Sequence, residues 1–296
     1  MCISDLRIAW WNFTSDFSLL VKARLSLLVS LTTLAGFLIG RRCDVSFPYG
    51  ALIATLVGTT LSAGGASALN QWWEREWDAC MERTRNRPLP GKRLHPFEVL
   101  VGGSLFSIAG ITILLFLVNG LSASLTTFTI ASYLFFYTPL KRTTSLNTLV
   151  GAVPGALPSL IGYTAARGRV GMEGYLLFTT LWLWQVPHFL SIAWIYRHQY
   201  TKAGFVMLPA KDESGAITSF QTLLYAIFLL TVSLLPVAIG LNTVLYLLPA
   251  LLLGSGLVIQ AFRFVRVRSH TRARTLFISS ICYLPLLLGI LVATKR

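Results

Sequence analysis

The sequence predicts an all-α fold, a polytopic membrane helix bundle with nine transmembrane helices. Three observations predict it: the composition, the length of the apolar runs and the placement of the basic residues. Of the 296 residues, 54% are hydrophobic and only 12% are charged, and the mean hydropathy is +0.67. Soluble domains carry about 25% charged residues. The chain is therefore expected to be an integral membrane protein.

Nine apolar runs are long enough to cross a bilayer, which takes about 20 residues. The run "SAGGASA" (62–68) within the second of them predicts a close helix contact, since small residues recur where membrane helices approach closely. We expect a short cytoplasmic N-terminal segment (1–20) followed by a single nine-helix domain (21–296). The predicted spans lie near 21–40, 50–69, 98–117, 121–139, 147–165, 174–194, 218–239, 243–263 and 275–293.

The basic residues predict the orientation of the bundle. With a cytoplasmic N-terminus, 19 of the 25 Lys and Arg residues fall on the cytoplasmic side, as the positive-inside rule requires of an odd number of spans. This asymmetry explains most of the net charge of +14, so the expected partner is the lipid bilayer and not nucleic acid. The run 263–274 is expected to anchor the chain at an anionic leaflet. Six basic residues fall on the other side: Arg41, Arg42, Arg167, Arg169, Lys295 and Arg296.

The stretch "NQWWEREWDACMERTRNRPLP" (70–90) concentrates opposed charges at the end of the second predicted span. Helix-breaking residues are missing until Pro88, so the helix is expected to continue past Asn70. Asn70, Glu74 and Asp78 are spaced i, i+4, i+8, which places them on one helical face about 6 Å apart along the axis. Oxygen ligands with one or two carboxylates are what Mg²⁺ prefers, together with water and substrate phosphates. The spacing predicts a magnesium site.

Arginines interleave with these acids and follow them. Their forked donors suit phosphate oxygens, so a diphosphate bridged to a divalent metal would account for both signs of charge. The alternative is a solvated loop whose acids and arginines pair with one another. The residues concerned are Arg83, Arg85 and Arg87.

A second polar loop follows the sixth predicted span, in "WQVPHFLSIAWIYRHQYTKAGFVMLP" (184–209). Four spans separate it from the first loop, so both loops (about 70–97 and 195–217) emerge on the same side and can close over one cavity. The four cysteines are scattered, without a metal-ligand spacing or a disulfide framework. The N-terminus has neither a signal-peptide core nor an Arg-rich transit pattern, which favours a bacterial plasma membrane.

Three segments resemble the signature segments of the protohaem IX farnesyltransferase (haem O synthase) family, within the superfamily of membrane-embedded aromatic prenyltransferases. They are residues 70–90, "YTPLKRTTSLNTLVGAVPGALPSLIGY" (137–163) and residues 184–209, and the resemblance extends over about 20–290. It implies a nine-helix bundle whose active cavity faces the cytoplasm. The implied reaction transfers the farnesyl group of farnesyl diphosphate to a vinyl group of haem b, with addition of water, giving haem O. Haem b is then a substrate and Mg²⁺ the cofactor.

The resemblance also implies roles for single residues in the first loop. Asn70 and Asp78 match positions of the family's metal site, and Glu74 stands where the family usually has Asp. The second loop departs from the family pattern, because His198 and Gln199 stand where an acid commonly follows the Arg of "YR". A second metal ion held by that loop is therefore in question. The nearby acids that could substitute are Glu82, Asp212 and Glu213.

Further candidates each carry two interpretations. Lys141 and Arg142 are diphosphate contacts or plain positive-inside residues, and Lys141 is also assigned to catalysis. Tyr137 faces the allylic cation with its ring or belongs to the interfacial aromatic belt. His188 is a hydrogen-bonded packing residue or a haem contact. The remaining candidates are Arg197 and Lys202 for the diphosphate and Tyr200 for the cavity or the haem.

Two other functions compete with this interpretation. A related prenyltransferase acting on a benzoate or quinone precursor would share the metal loop, but it would have no need of "WQVPHF". A secondary transporter would place polar residues near the bilayer midplane, whereas Asn70 to Asp78 lie at a helix end. Haem A synthase or a terminal oxidase assembly is the candidate protein partner.

Overall fold

The structure is a computed structural model that describes residues 14–42 and 46–296. Most of the predicted N-terminal segment (1–20) lies outside the described residues. Helices dominate the described chain, and the one extended pairing in it is an isolated bridge between Asn242 and Lys295. The long helices are α1 (Ala23–Gly40), α2 (Tyr49–Asp78), α3 (Pro96–Leu117), α4 (Gly120–Ala131), α5 (Asn147–Arg167), α6 (Met172–Ile195), α7 (Ala216–Ala238), α8 (Leu247–Arg266) and α9 (His270–Ala293).

Eight of these helices are long and apolar enough to cross a membrane within the described residues, all except α4. The predicted all-α membrane bundle is confirmed. The fourth predicted span (121–139) is a composite: α4 is followed by a π-helical segment, Ser132–Tyr137, and one further helical turn, Thr138–Leu140. Whether this composite crosses the membrane as a ninth span stays a prediction.

The helices form two groups that share α5 and α6. α2, α3 and α4 pack in sequence order on one side, and α7, α8 and α9 on the other. α1 bridges the groups, since it packs against α2, α5 and α9. This arrangement leaves a long space between α1, α2, α5, α6 and α9.

The contact between α2 and α3 explains the run "SAGGASA". A Cβ at Gly65 would lie 2.6 Å from the Gly103 carbonyl oxygen of α3, closer than any real Cβ contact. The helix backbones therefore touch at this point, as small residues permit. The prediction of a close helix contact is confirmed.

α2 also explains how polar residues reach the end of the bundle. Its 30 residues span about 45 Å at 1.5 Å per residue, more than the roughly 30 Å of a hydrocarbon core. The helix runs past Asn70 as predicted and ends at Asp78. Its last two turns thus project beyond the apolar part and carry the charged residues.

The two polar loops meet over that helix end. Met81 of the first loop packs with Phe205 and Met207 of the second in one buried apolar cluster. The second loop is also fastened to the segment after the π-helix, where the Val206 backbone N–H donates to the Lys141 carbonyl oxygen at 2.7 Å. Both loops therefore lie together at the same end of the bundle, and their assignment as catalytic loops stays a prediction.

Candidate active site

A cavity of about 710 Å³ runs along the space between the helices. Lys22 lines one end of it and Leu38 lies toward the other, so it follows α1 for about 24 Å at 1.5 Å per residue. We call the end near Lys22 the site end and the other the opposite end. Polar side chains gather at the site end, and the wall beyond them is mostly apolar, including Leu28, Leu181 and Leu288.

The three predicted metal ligands lie together at the site end. Asn70, Glu74 and Asp78 are all buried, with exposed fractions of 1%, 4% and 1%, and all three line the cavity. Their position on one face of α2 follows from the i, i+4, i+8 spacing. A solvated loop would leave these side chains in water, so the solvent exposure that this alternative requires is not found, whereas the pairing of an acid with an arginine that it also predicts is found between Asp78 and Arg87.

Each acid is paired with a base. Glu74 accepts two hydrogen bonds from Lys141 Nζ, at 2.8 and 3.1 Å. Asp78 Oδ2 accepts one from Arg87 Nη1 at 2.6 Å. Burial alone would lower the pKa of Lys141, but the charge of Glu74 more than offsets burial and raises this pKa above its ordinary value. Lys141 therefore stays protonated, next to the carboxylate on which the metal hypothesis depends.

Asn70 is held by three side chains that the sequence did not indicate as its partners. Its Oδ1 accepts hydrogen bonds from Lys22 Nζ at 3.0 Å and from the Tyr133 hydroxyl at 3.1 Å. Its Nδ2 donates to Thr138 Oγ1 at 3.1 Å. Lys22 has φ 48, a left-handed conformation that is uncommon outside glycine, and caps the start of α1. In the sequence, Lys22 is only one of many basic residues on the predicted cytoplasmic side.

The π-helical segment orients two tyrosines toward the site. Tyr133 and Tyr137 stack with ring centroids 5.7 Å apart, and both line the cavity. Lys141 Nζ lies 4.6 Å from the Tyr137 ring centroid. Single π turns within α-helices are frequently found at functional sites. The position of Tyr137 favours the cavity interpretation over an interfacial belt.

The basic residues predicted to bind diphosphate divide into two groups. Arg83, Arg87 and Lys141 line the cavity. Arg83 also donates to the Tyr200 hydroxyl at 3.3 Å, and Tyr200 itself lines the cavity. Four others lie outside the lining of the cavity. Arg85 and Lys202 are exposed, Arg142 stacks on Trp77, and Arg197 stacks on Trp194. A diphosphate role for these four stays a prediction.

The second loop brings no acid to the cavity within the described residues. Glu82 and Glu213 are exposed, as is His198. Asp212 is turned the other way, since its Oδ2 accepts from the Thr218 backbone N–H at 2.7 Å near the start of α7. Burial alone would raise the pKa of Asp212, but the hydrogen bonds from Thr218 and Ser214 outweigh burial and lower it. None of the three acids replaces the missing ligand here.

The second and third signature segments meet inside the bundle. A Cβ at Gly155 would overlap the side-chain oxygen of Gln185, so the glycine of "VPGALP" makes room for the glutamine of "WQVPHF". Gln185 Nε2 donates to the Ala152 carbonyl oxygen at 3.0 Å. Both Gly155 and Gln185 line the cavity. The two segments therefore build one wall of it.

His188, one turn further on, also lines the cavity. Its ring stacks on Trp184, with centroids 4.7 Å apart, and its Nδ1 lies 2.8 Å from Ser280 Oγ. Since Ser280 donates its own proton to the Phe277 carbonyl oxygen, the Nδ1–H of His188 donates to Ser280. This tautomer leaves the Nε2 lone pair unprotonated and available as a ligand. His188 is therefore both a hydrogen-bonded packing residue and a cavity residue.

The donor set fits a magnesium ion shared with a substrate. Within the described residues no three His, Cys, Asp or Glu side chains form a metal-binding group, so a closed protein cage is missing there. Two buried carboxylates and one amide oxygen on a single helix face offer a partial set instead. Mg²⁺ is usually held in this way, by one or two carboxylates with phosphates and water completing the shell.

Buried acids and basic side chains at one end of a long apolar cavity, within a bundle of membrane-length helices, are the features of a membrane-embedded enzyme. The model of the UbiA prenyltransferase family matches residues 29–281, and the chain therefore belongs to this family. With eight membrane-length apolar helices among its described residues, it is a multi-pass membrane protein. More particularly, its sequence is similar to proteins named protoheme IX farnesyltransferase. The one from Solibacter usitatus is 43% identical over 95% of this chain and 98% of its own, and the one from Opitutus terrae is 44% identical over 95% of each.

Solved structures of the same fold agree with this assignment. A digeranylgeranylglyceryl phosphate synthase superposes with a TM-score of 0.80 at 14% identity, covering 95% of this chain and 98% of that one. A UbiA homologue from Archaeoglobus fulgidus, bound to GPP and Mg²⁺, has a TM-score of 0.59 at 12% identity, covering 93% and 99%. At such low identity these structures establish the fold alone.

Proposed function

We propose that this protein transfers the farnesyl group of farnesyl diphosphate to a vinyl group of haem b, with addition of water, and releases haem O and diphosphate. One observation carries the proposal: buried oxygen ligands and basic side chains stand together at one end of a long apolar cavity. A cavity of about 710 Å³ is within the range of about 300–1,000 Å³ that is usual for ligand sites. The names of the relatives supply the two substrates.

The diphosphate binds at the site end in this proposal. Asn70, Glu74 and Asp78 would hold Mg²⁺, which when bound stabilises the negative charge that develops on the departing diphosphate. Lys141 and Arg87 then turn from the acids toward phosphate oxygens. Because both bases are partly buried and held in place by the acids, water screens their charges less than it would at the surface.

The farnesyl chain occupies the apolar length of the cavity. Once the diphosphate leaves, the allylic cation needs protection from water until the vinyl group reaches it. The loop cluster of Met81, Phe205 and Met207 closes the site end with apolar side chains. Tyr133 and Tyr137 line the cavity at the site end, where aromatic rings attract a nearby cation.

Haem b is proposed to contact His188. Its ring lies in the cavity wall with Nδ1 engaged by Ser280, which orients the ring and leaves Nε2 for the iron. Axial ligation at this position would hold the porphyrin between α6 and α9. When haem b is titrated into the purified protein, its absorbance should shift on binding. The His188→Phe variant should lose this shift, and the Ser280→Ala variant should show a smaller one.

The decisive measurement is the mass of haem extracted from cells that express the chain. A farnesyl adduct on haem b supports the proposal. Prenylation of a benzoate or quinone precursor without any change in the haem would instead indicate the related prenyltransferases. Transport of a solute without any new covalent product would indicate a transporter.

The proposed location is a bacterial plasma membrane with the N-terminus and the site end facing the cytoplasm. The positive-inside count supports this orientation. Haem A synthase or a terminal oxidase assembly is the proposed consumer of the product, because haem O is strongly apolar and passes most directly between membrane proteins.

A further inference from the structure

A second cavity lies at the opposite end of the bundle, away from every residue of the candidate active site. Its volume is about 570 Å³. The ends of α1 and α5, the loop after α7 and the last residues of the chain enclose it. All six basic residues that the sequence places on this side line it: Arg41, Arg42, Arg167, Arg169, Lys295 and Arg296.

This convergence is unexpected for loops on that side. The positive-inside rule depletes such loops of Lys and Arg, yet three segments that are distant in sequence bring theirs to one place. Among the described residues that line the cavity, Glu173 is the one acid. Its Oε2 accepts a hydrogen bond from the Tyr163 hydroxyl at 2.7 Å. The described part of the lining therefore carries six basic side chains against one acid.

Hydrogen bonds between segments that are distant in sequence hold the walls of this cavity together. Lys295 Nζ donates to the carbonyl oxygens of Leu38 and Arg41, which fastens the end of the chain to the end of α1. The Arg296 backbone N–H donates to the Leu241 carbonyl oxygen at 3.0 Å, and buried Asn242 donates to the Leu291 carbonyl oxygen at 2.7 Å. These contacts hold Lys295 and Arg296 at the end of the chain against the end of α1 and the loop after α7.

Two of the arginines share the one acid of the described lining. Arg167 and Arg169 form no ion pair within 4 Å in the described part of the chain, and both interact electrostatically with the Glu173 carboxylate. A guanidinium offers a planar fork of donors that matches phosphate oxygens. The two flank a turn at Gly168, whose φ of 74 ends α5, so both are carried on one short segment.

The rim of the cavity is apolar. Ile39, Ile239 and Leu241 line it beside the basic groups, and Ile239 is 42% exposed. Val244 and Leu245, just after this loop, are 65% and 78% exposed. Phosphate-binding groups next to exposed aliphatic side chains, at the end of membrane helices, match a phospholipid, which has both a charged headgroup and acyl chains. Free phosphate would make no use of the apolar rim.

We propose that this cavity binds the headgroup of an anionic phospholipid from the leaflet that meets the opposite end of the bundle. The lipid phosphate sits among the six basic side chains, and its acyl chains lie along Ile239, Val244 and Leu245. The diphosphate of the reaction cannot be the occupant, because Arg41 follows Lys22 by 19 helical residues, about 28 Å. The site is thus separate from the proposed chemistry.

Binding can be measured on the purified full-length protein in detergent. We compare its thermal midpoint with added phosphatidylglycerol, phosphatidylcholine or inorganic phosphate, and count bound phosphatidylglycerol by native mass spectrometry. Phosphatidylglycerol should raise the midpoint and phosphatidylcholine should not. Arg167→Gln/Arg169→Gln should reduce bound phosphatidylglycerol at least fivefold. The matched control is Arg24→Gln/Lys211→Gln, which removes two exposed charges near the site end, outside the run 263–274, and should leave bound phosphatidylglycerol unchanged.

Three results would overturn the proposal. One is equal retention of phosphatidylglycerol by wild type and the Arg167/Arg169 variant. Another is an equal loss in the control variant, which would indicate a general charge effect. The third is stabilisation by inorganic phosphate as large as that by phosphatidylglycerol, which would make the ligand a free anion. Arg169→Gln alone, at an exposed position, should show a partial loss if the double variant folds poorly.

Discussion

Each buried acid of the site is matched by one basic side chain, Glu74 by Lys141 and Asp78 by Arg87. Breaking such a buried pair leaves a charge without a partner, which is strongly unfavourable. A metal diphosphate carries both signs of charge, so it can replace both halves of each pair at once: the metal for the bases and the phosphate for the acids. The pairs therefore keep the site charge-balanced until substrate arrives.

Removing the charge of Asp78 tests the metal assignment. Asp78→Asn keeps the size of the side chain but weakens the metal site and frees Arg87, so conversion of haem b to haem O should fall by about 10² or more, the loss typical of one electrostatic contact in a transition state. The control is Glu76→Gln, two positions away, whose side chain is 78% exposed. Activity measured with Mg²⁺ in membranes should be lost in the first and kept in the second. Equal activities would remove Asp78 from the metal site.

Lys141 allows stability and catalysis to be separated. Lys141→Met should destabilise the protein by about 3–5 kcal/mol, because Glu74 stays buried without a counter-charge. Adding Glu74→Gln should restore the thermal midpoint, since the remaining groups are neutral, but it should not restore farnesyl transfer. If the double variant recovered activity together with stability, the pair would be structural only.

Arg83 and Arg85 test which arginines face the diphosphate. Both side chains are exposed, but Arg83 lines the cavity and Arg85 lies outside its lining, although the sequence assigns both alike. Arg83→Gln should raise the KM for farnesyl diphosphate about tenfold or more, since hydrogen bonds to charged groups contribute about 1.5–3 kcal/mol. Arg85→Gln should change the KM by no more than about twofold, because charge interactions at exposed positions usually contribute little free energy. The reverse order would mean that the first loop rearranges when substrate binds.

At the scale of elements, regular helix geometry explains what the sequence predicted correctly. The i, i+4, i+8 spacing suffices to place Asn70, Glu74 and Asp78 on one face, because it needs no knowledge of other helices. Lys22 and Tyr133 were missed because they lie 48 and 63 residues from Asn70, so only tertiary packing brings them together. The π-helical segment was missed for a similar reason, since apolar periodicity over six residues does not distinguish it from α-helix.

The close packing of α2 on α3 predicts opposite outcomes at two glycines. Gly65→Ala would push a methyl group against the Gly103 carbonyl and Ser107, so the helices would have to separate and the thermal midpoint should fall by several degrees. Gly102→Ala in α3 meets nothing within 4 Å, and Ala is the better helix former by about 1 kcal/mol. Its midpoint should be unchanged or slightly higher. Thermal unfolding in one detergent compares both, and equal shifts would contradict the backbone contact.

At the scale of the whole molecule, the two ends of the bundle carry different groups of charges. The site end combines acids and bases around the polar end of the large cavity, whereas the opposite end collects six basic residues around the smaller one. The sequence revealed the count on each side but not the clustering, because charge counting ignores where loops fold. This difference in charge between the two ends predicts the orientation of the protein in the membrane.

Labelling of single cysteines tests that orientation. Cys80 lies exposed in the first loop at the site end, and Arg169 is exposed at the opposite end. We compare two chains in intact spheroplasts, one with Cys80 as its only cysteine and one with Arg169→Cys and all native cysteines changed to serine.

With the site end in the cytoplasm, as the positive-inside rule requires, a membrane-impermeant maleimide should label the Arg169→Cys chain directly. It should label Cys80 only after the membrane is permeabilised. The opposite pattern would invert the topology and place the proposed diphosphate site outside the cell, where cytoplasmic farnesyl diphosphate could not reach it.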